Sequence, residues 1–364
     1  MPQNPFEGDI SPIEEILEDA KAGRMFVLVD HEDRENEGDL VIPAEMADDK
    51  AINFMATHGR GLICLTMTGA QVERLGVPMM ASNNSSRHET PFTVSIEAVE
   101  GVTTGISAQD RAITVATAIN PQVRQVEIAT PGHVFPLRAR EGGVLVRAGH
   151  TEAATDISKL AGLNPSGVIC EIMNEDGTMA RLPDLIEFSK KHGLKIGTIS
   201  DLIAYRLRND HLVDEISSSE VNSEFGGTWC LRVFKDTLKD AEHLVLSKGD
   251  LSSNEPVMVR MHAANPFDDM LGLTPGKGSE LSNAMNLIAA EGRGVVVLLR
   301  DMAASLSTNT EPEAKLKQYG LGAQILAALG LHELVLLSNS PSPKIVGLDG
   351  YGLSIVESRR IGEI

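Results

Sequence analysis

Met25-Phe-Val-Leu-Val-Asp-His-Glu-Asp-Arg-Glu-Asn-Glu-Gly-Asp39 runs five apolar residues into a loop with six carboxylates in ten positions: Asp30, Glu32, Asp33, Glu35, Glu37 and Asp39. A short apolar run bounded by polar residues reads as a buried strand, and Gly38 lets the backbone turn before apolar residues resume. Six neighbouring carboxylates repel one another unless positive charge lies among them. Arg34 supplies one such charge. Hard oxygen ligands at a strand end also suit Mg²⁺ or Mn²⁺, which keep several waters and take one or two protein carboxylates. A solvated acidic loop is the competing reading of any such run. The flanking strands and Arg34 weaken it here.

Working outward, Gly61 to Met67, Phe92 to Ala98 and Val168 to Ile172 are further strand-like runs that alternate with helical stretches. This pattern predicts an α/β (α+β) domain with a mixed sheet. Ser107 with Asp110 opens one helix, Gly193 closes another, and Ser200 caps a segment ending at Asn209. Residues 210–226 are polar and Ser-rich, and are expected to link a domain at 1–209 to a second at 227–364. The second half reads as strands at Thr228–Phe234, His243–Leu246 and Pro256–Met261, then helix, strand, helix, strand over Ser279–Glu291, Gly294–Arg300, Glu313–Leu329 and Glu333–Ser338. This is a second α/β unit. A chain of 364 residues also exceeds one comfortable core.

The 51 acidic residues outnumber the 32 Lys and Arg, giving a formal net charge of -19. Such a chain repels nucleic acid phosphates and anionic lipid surfaces, so neither partner is expected. Cys64, Cys170 and Cys230 are widely spaced, which argues against a disulfide framework or a thiolate zinc site. With no basic-then-apolar leader and no run long enough to span a bilayer, the expected location is the cytoplasm.

Three further segments carry candidate chemistry. Gly142-Gly-Val-Leu-Val-Arg-Ala-Gly-His-Thr151 precedes Glu152 and a helical run from Ala153 to Leu160. Free N–H groups and the dipole at that helix start favour a phosphate beside Arg147 and Thr151. His150 reads as an imidazole ligand to the loop metal, or as a capping or packing residue. Pro131-Gly-His-Val-Phe-Pro136 sets His133 in a turn stiffened by two prolines, a placement suited to an acid or base. Glu171, ending the apolar strand Gly167 to Ile172, is either a proton shuttle with a raised pKa or a salt-bridged structural group. Cys64 reads as a packing residue.

Together, Asp30-His-Glu-Asp-Arg-Glu-Asn-Glu-Gly-Asp39, Phe92-Thr-Val-Ser-Ile-Glu97, Glu100-Gly-Val-Thr-Thr-Gly105, Pro131-Gly-His-Val-Phe-Pro-Leu137, Gly149-His-Thr-Glu-Ala153 and Asp176-Gly-Thr-Met-Ala-Arg181 closely resemble 3,4-dihydroxy-2-butanone-4-phosphate synthase over residues 5 to 208. Ordered blocks of this kind are far more specific than a single motif. The resemblance implies conversion of the sugar phosphate D-ribulose 5-phosphate to L-3,4-dihydroxy-2-butanone 4-phosphate and formate, a step of riboflavin biosynthesis. It implies a homodimer with two Mg²⁺ or Mn²⁺ ions in each active site, held by Glu35 and His150. It further implies substrate contacts from Arg34, Glu35, Asp39, Thr104, Arg147, Ala148, Gly149, His150, Thr151 and Glu171, with His133 and Glu171 as catalytic positions.

The second half resembles GTP cyclohydrolase II in Glu291-Gly-Arg-Gly-Val-Val, Tyr319-Gly-Leu-Gly-Ala-Gln-Ile-Leu326 and Lys344-Ile-Val-Gly-Leu-Asp-Gly-Tyr-Gly-Leu353. Where that family carries three cysteines for a catalytic zinc, this chain has His262-Ala-Ala-Asn-Pro-Phe-Asp-Asp-Met-Leu-Gly-Leu-Thr-Pro-Gly276, with none. After Arg300, Asp-Met-Ala-Ala-Ser-Leu-Ser307 stands in place of Gln-Glu-Gly-Arg-Gly-Ile-Gly. The expectation is a synthase fused to a cyclohydrolase-like domain that does not hydrolyse GTP. A bifunctional enzyme and a non-catalytic metal- or nucleotide-binding regulator are the competing readings.

Overall fold

The structure, a computed structural model, describes residues 8–31, 34–85, 90–237, 241–253, 255–273, 277–300, 321–339 and 348–362. The chain divides into two compact units, Met1–Tyr205 and Arg206–Ile364.

The first unit is built on strands β1 (Phe26–Val29), β2 (Gly38–Pro43), β3 (Cys64–Met67), β4 (Ile96–Ala98), β5 (Ile128–Arg138), β6 (Ser166–Glu171) and β7 (Ile196–Thr198). They form one mixed sheet in the order β4-β5-β3-β6-β2-β1-β7. Its helices are α1 (Ile13–Lys21), α2 (Asp49–Phe54), α3 (Gly69–Leu75), α4 (Ala108–Ile119), α5 (His150–Leu160), α6 (Leu182–His192) and α7 (Ile199–Asn209). Every residue of β1 and β2 is buried, which is why these strands read as continuous rather than alternating apolar runs. Val27, Leu40, Leu65, Val168 and Ile196 share one core with Ile52, Val115 and Leu185 from the helices.

Register fixes the site. Leu28 of β1 pairs with Asp39 of β2, and Asp39 pairs with Glu171 of β6. Cys64 of β3 pairs with Ile169 of β6 on one side and Phe135 of β5 on the other. His133 lies beyond the Cys64–Phe135 pair, in the part of β5 where its pairing with β4 is irregular.

Local expectations need correction at three places. His133 lies in a strand rather than a turn: β4 pairs Ile96 with Val134 and Glu97 with Ala129, so residues 130–133 form a bulge in β5 that absorbs Pro131. Of the strand expected from Phe92 to Ala98, only Ile96–Ala98 joins the ladder, while Phe92 and Thr93 form isolated bridges. Helix α7 begins at Ile199, one residue before the expected Ser200 cap, and the Thr198 hydroxyl accepts from the Asp201 N–H.

The second unit holds β8 (Val213–Ser223), β9 (Gly227–Asp236), β10 (Glu242–Lys248), β11 (Val257–Ala263), β12 (Gly294–Leu299), β13 (Glu333–Leu337) and β14 (Ser354–Arg359), with α8 (Pro266–Asp269) and α9 (Glu280–Glu291). The order is β14-β13-β11-β12-β10-β9-β8. Trp229, Met285, Ile288, Val296 and Leu337 form its core. The expected linker is largely β8, which pairs along the length of β9. Its side chains are mostly exposed, so backbone pairing holds it at the sheet edge and no apolar period marks it. Of the helix expected at Glu313–Leu329, residues 313–320 lie outside the described residues and 321–328 are helical. Among the described residues, no helix is long and apolar enough to cross a membrane.

Candidate active site

Strand β1 delivers Asp30 into the acidic loop, and this one carboxylate organises it. Asp30 Oδ2 accepts from the Arg34 guanidinium at 2.8 Å and the Glu35 N–H at 3.1 Å, while Oδ1 accepts from the Glu37 N–H at 2.8 Å. Arg34 Nη1 also lies 2.5 Å from Glu35 Oε2. Arg181 closes the far side, donating to the carbonyls of Glu35 and Asn36. The Asp30, Arg34, Glu35 and Glu37 N–H groups are thus satisfied within the loop, and the Glu35 side chain is left partly exposed.

Strand β2 then carries Asp39, 3% exposed, directly opposite Glu171. Burial, and after it the carboxylates of Glu171, Glu35, Glu37 and Asp30, push the Asp39 carboxyl well above its usual range. Burial also raises Glu171. Glu171 is held by its own neighbours: Oε2 accepts from the Leu62 N–H at 2.8 Å, and its carbonyl accepts from the Gly61 N–H at 3.1 Å. A Cβ at Gly61 would come within 2.5 Å of that carbonyl, so the close approach requires glycine.

Helix α5 brings the remaining groups. His150, 5% exposed, sits with Nε2 at 3.2 Å from the Leu28 carbonyl, which only accepts. The proton is therefore assigned to Nε2, and Nδ1 keeps its lone pair. That atom lies 3.9 Å from Glu35 Oε2 and 3.8 Å from Asp39 Oδ1. Burial lowers the His150 pKa, which favours the neutral ligand form. Ligand atoms of Asp30, Glu35 and His150 lie within 4.8 Å of one another. Asp30 already accepts from three loop donors, which leaves Glu35 and His150 the less engaged members of the group.

Beside them, Arg147 Nη1 contacts Glu152 Oε2 at 2.7 Å, and Glu152 Oε1 accepts from the Arg140 N–H at 3.0 Å. A Cβ at Gly149 would meet Arg147 Nη1 at 2.5 Å and Arg34 Nη2 at 3.0 Å. Two guanidinium groups therefore converge on the first turn of α5, where backbone N–H groups are free to receive an anion. Ala148 and Thr151 are buried in the same turn.

The fold thus gathers Arg34, Glu35, Asp39, Arg147, Ala148, Gly149, His150, Thr151 and Glu171. His133 and Thr104 stand apart. Three strand spacings separate β5 from β2, or about 14 Å. His133 Nδ1 contacts Glu97 Oε2 at 2.5 Å, and Thr104 is exposed in a bend whose neighbours, Thr103 and Gly105, both donate to Asp110 Oδ2. Sequence reading misses Glu97, Glu152 and Arg181 as parts of the site. Glu97 and Arg181 lie in recognisable blocks, yet their partners are remote in sequence and leave no local signal. Cys64 and Cys170 are buried, and burial pushes the Cys170 thiol up to about 12, which suits packing rather than reactivity.

Residues 14–205 match the family profile of 3,4-dihydroxy-2-butanone 4-phosphate synthase, and residues 214–360 that of GTP cyclohydrolase II. A 3,4-dihydroxy-2-butanone 4-phosphate synthase of Neisseria meningitidis serogroup B is 47% identical over 95% of this chain and 97% of its own. The riboflavin biosynthesis protein RibBA of Synechocystis is 46% identical over 95% of this chain and 66% of its own. Among solved structures, RibBX of A. baumannii, a two-domain 3,4-dihydroxy-2-butanone 4-phosphate synthase, has a TM-score of 0.79 at 40% identity, covering 96% of this chain and 99% of its own. A 3,4-dihydroxy-2-butanone 4-phosphate synthase in complex with two magnesium ions has a TM-score of 0.53 at 37% identity, covering 55% of this chain and 99% of its own. The chain therefore belongs to the 3,4-dihydroxy-2-butanone 4-phosphate synthase family, carries a GTP cyclohydrolase II domain behind it, and is a lyase of riboflavin biosynthesis.

Proposed function

We propose that the first unit converts D-ribulose 5-phosphate to L-3,4-dihydroxy-2-butanone 4-phosphate and formate, using two Mg²⁺ or Mn²⁺ ions. The observation that carries this reading is the meeting of buried carboxylates and an unprotonated His150 Nδ1 with two guanidinium groups at a helix start. The donor set fits a hard divalent cation: oxygen and imidazole ligands, with surrounding carboxylates whose repulsion a cation relieves. When bound by Glu35 and His150, the ion supplies Lewis acidity toward the ketone and hydroxyl oxygens.

The chain's own residues do the rest. Arg34, Arg147 and the first-turn N–H groups of α5 hold the phosphate and so position the reacting carbons. Glu171, whose pKa burial raises, takes and returns a proton. Asp39, whose pKa is raised by burial and then by the surrounding carboxylates, is placed to hydrogen-bond a substrate hydroxyl. Thr104 supplies a further hydroxyl contact, and His133, on β5, moves protons.

We also propose a homodimer in which His133 of one copy completes the carboxylate cluster of the other. The three strand spacings between β5 and β2, about 14 Å, and a His133 side chain 43% exposed support that arrangement.

The second unit is proposed to be inactive on GTP. His262 Nε2 is engaged by Asp269 at 2.9 Å, and Arg260 Nη2 lies 3.4 Å from its Nδ1, so a part-buried hydrogen-bond network occupies the start of the segment that lacks zinc cysteines. Cys230 lies in β9 beside Ser218, and cannot supply a thiolate ligand set alone. The relatives named RibBA keep the bifunctional reading as the alternative. Formate release from ribulose 5-phosphate and from GTP, each with Mg²⁺ and then with EDTA, tests both. No formate from ribulose 5-phosphate in the Mg²⁺ sample sinks the synthase reading, and formate from GTP with bound zinc sinks the inactivity.

A further inference from the structure

We propose that Glu97 is a positioning residue for the reaction: its carboxylate fixes the tautomer and rotation of His133, so that His133 presents Nε2 to the substrate. This rests on the reading of His133 as a catalytic group. His133 Nδ1 lies 2.5 Å from Glu97 Oε2. An ionised carboxylate only accepts, so the shared proton resides on Nδ1 and Nε2 is left to act.

The surroundings explain why His133 needs such a partner. It ends the bulge between Ala129 and Val134, where the β4–β5 ladder is interrupted, and its side chain is 43% exposed. A bulge re-aims a side chain but does not lock its rotation. Glu97, 18% exposed, sits on the facing strand at the register shift and reaches across to the ring.

An exposed ion pair is ordinarily worth little. Here the Glu97 side of the pair is packed, while the His133 side faces outward. Gly105, with φ +88, packs its backbone so closely on the Glu97 carboxylate that any Cβ there would overlap Oε1 and Oε2. Asp110 Oδ2 holds that loop in place, accepting from the Thr103 hydroxyl at 2.8 Å and the Gly105 N–H at 2.9 Å. Asp110 is itself fixed at the start of α4, where its N–H donates to Ser107. Exclusion of water on that side strengthens the carboxylate–imidazole contact. The same loop carries Thr104, so one support delivers both groups.

The test uses Glu97→Gln and Glu97→Asp in the full chain, with formate kinetics on ribulose 5-phosphate and Mg²⁺, and ¹⁵N NMR of the His133 imidazole. Glu97→Gln is expected to lower kcat about 10- to 100-fold, the range seen when an orienting partner of a working histidine is lost. KM should stay within about twofold. The His133 signal should move from the Nδ1–H form toward a mixture, while Glu97→Asp keeps the Nδ1–H form and more of the activity. Should Glu97→Gln lower the thermal midpoint, Glu97→Asp carries the same kinetic and NMR comparison against wild type. Unchanged kcat in Glu97→Gln beside an inactive His133→Ala, or an unchanged tautomer, overturns the proposal. Full turnover in His133→Ala overturns instead the reading of His133, and the NMR comparison still decides whether Glu97 sets the tautomer.

Discussion

Asp39 and Glu171 are register partners on the antiparallel pair β2–β6, two carboxyl groups facing each other in the interior of a sheet. Like charges directly opposite in a ladder are destabilising. The cost is reflected in the raised pKa of Asp39, and a divalent cation at the site would offset it. Stability is here exchanged for chemistry.

The exchange is measurable as a pH-dependent cost. Asp39 has a raised pKa in the folded protein, so the folded state binds a proton more readily than the unfolded chain. Its contribution is therefore most favourable below the usual Asp range and is lost as pH rises toward the folded value. Asp39→Asn is expected to stabilise the metal-free protein by about 0.5–2 kcal/mol near neutral pH, and to give no gain at about pH 3. Turnover should fall by about 100-fold or more. Thermal unfolding of both proteins at the two pH values checks the sign, and an equal shift at both removes Asp39 as its source.

A cation held by Glu35 and His150, as proposed, would relieve the same repulsion. Mg²⁺ at about 100 times its Kd should stabilise the wild type by about 2.7 kcal/mol. Glu35→Gln should lose that response together with turnover, and EDTA should reverse both in the wild type. Unfolding curves that ignore Mg²⁺ would exclude these two residues as a binding pair.

The anion seat is probed best by a substitution that keeps the charge. Arg147→Ala would leave the fully buried Glu152 without its guanidinium partner, at a cost of about 3–5 kcal/mol, and would confuse folding with binding. Arg147→Lys retains the ion pair but loses the planar fork. KM for the sugar phosphate is expected to rise about tenfold, with kcat within about threefold. Gly149→Ala, whose Cβ meets both guanidinium groups, should raise KM by a similar factor. An unaltered KM in both variants would move the phosphate elsewhere.

If His133 works in the site of a second copy, two inactive proteins can make an active one. His133→Ala and Glu35→Gln are each expected to lose at least about 100-fold in turnover. After unfolding and refolding together in equal amounts, mixed dimers carry one intact site, and about a quarter of wild-type activity should return. No recovery in a sample shown to contain mixed dimers would confine each site to a single chain.

Much of the first unit is legible in local sequence. Met25 to Val29 marks β1, Val168 to Ile172 marks β6, and in the second unit Gly294 to Arg300 marks β12, because buried strands leave continuous apolar runs. The acidic loop, the Arg147 to Thr151 segment and Glu171 stand out because their chemistry is carried by residue type and local order. Strand β8 does not stand out, because backbone pairing at a sheet edge needs no apolar period.

The sequence by itself determined the family blocks, the two α/β units and the absence of a zinc cysteine set, all of which are written in composition and local order. Tertiary structure alone decided that Asp39 meets Glu171, that the Leu28 carbonyl leaves His150 Nδ1 open, and that Glu97 rather than a turn holds His133. Those relationships depend on strand register and long-range packing, and a one-residue slip in either strand would move these side chains to the other face.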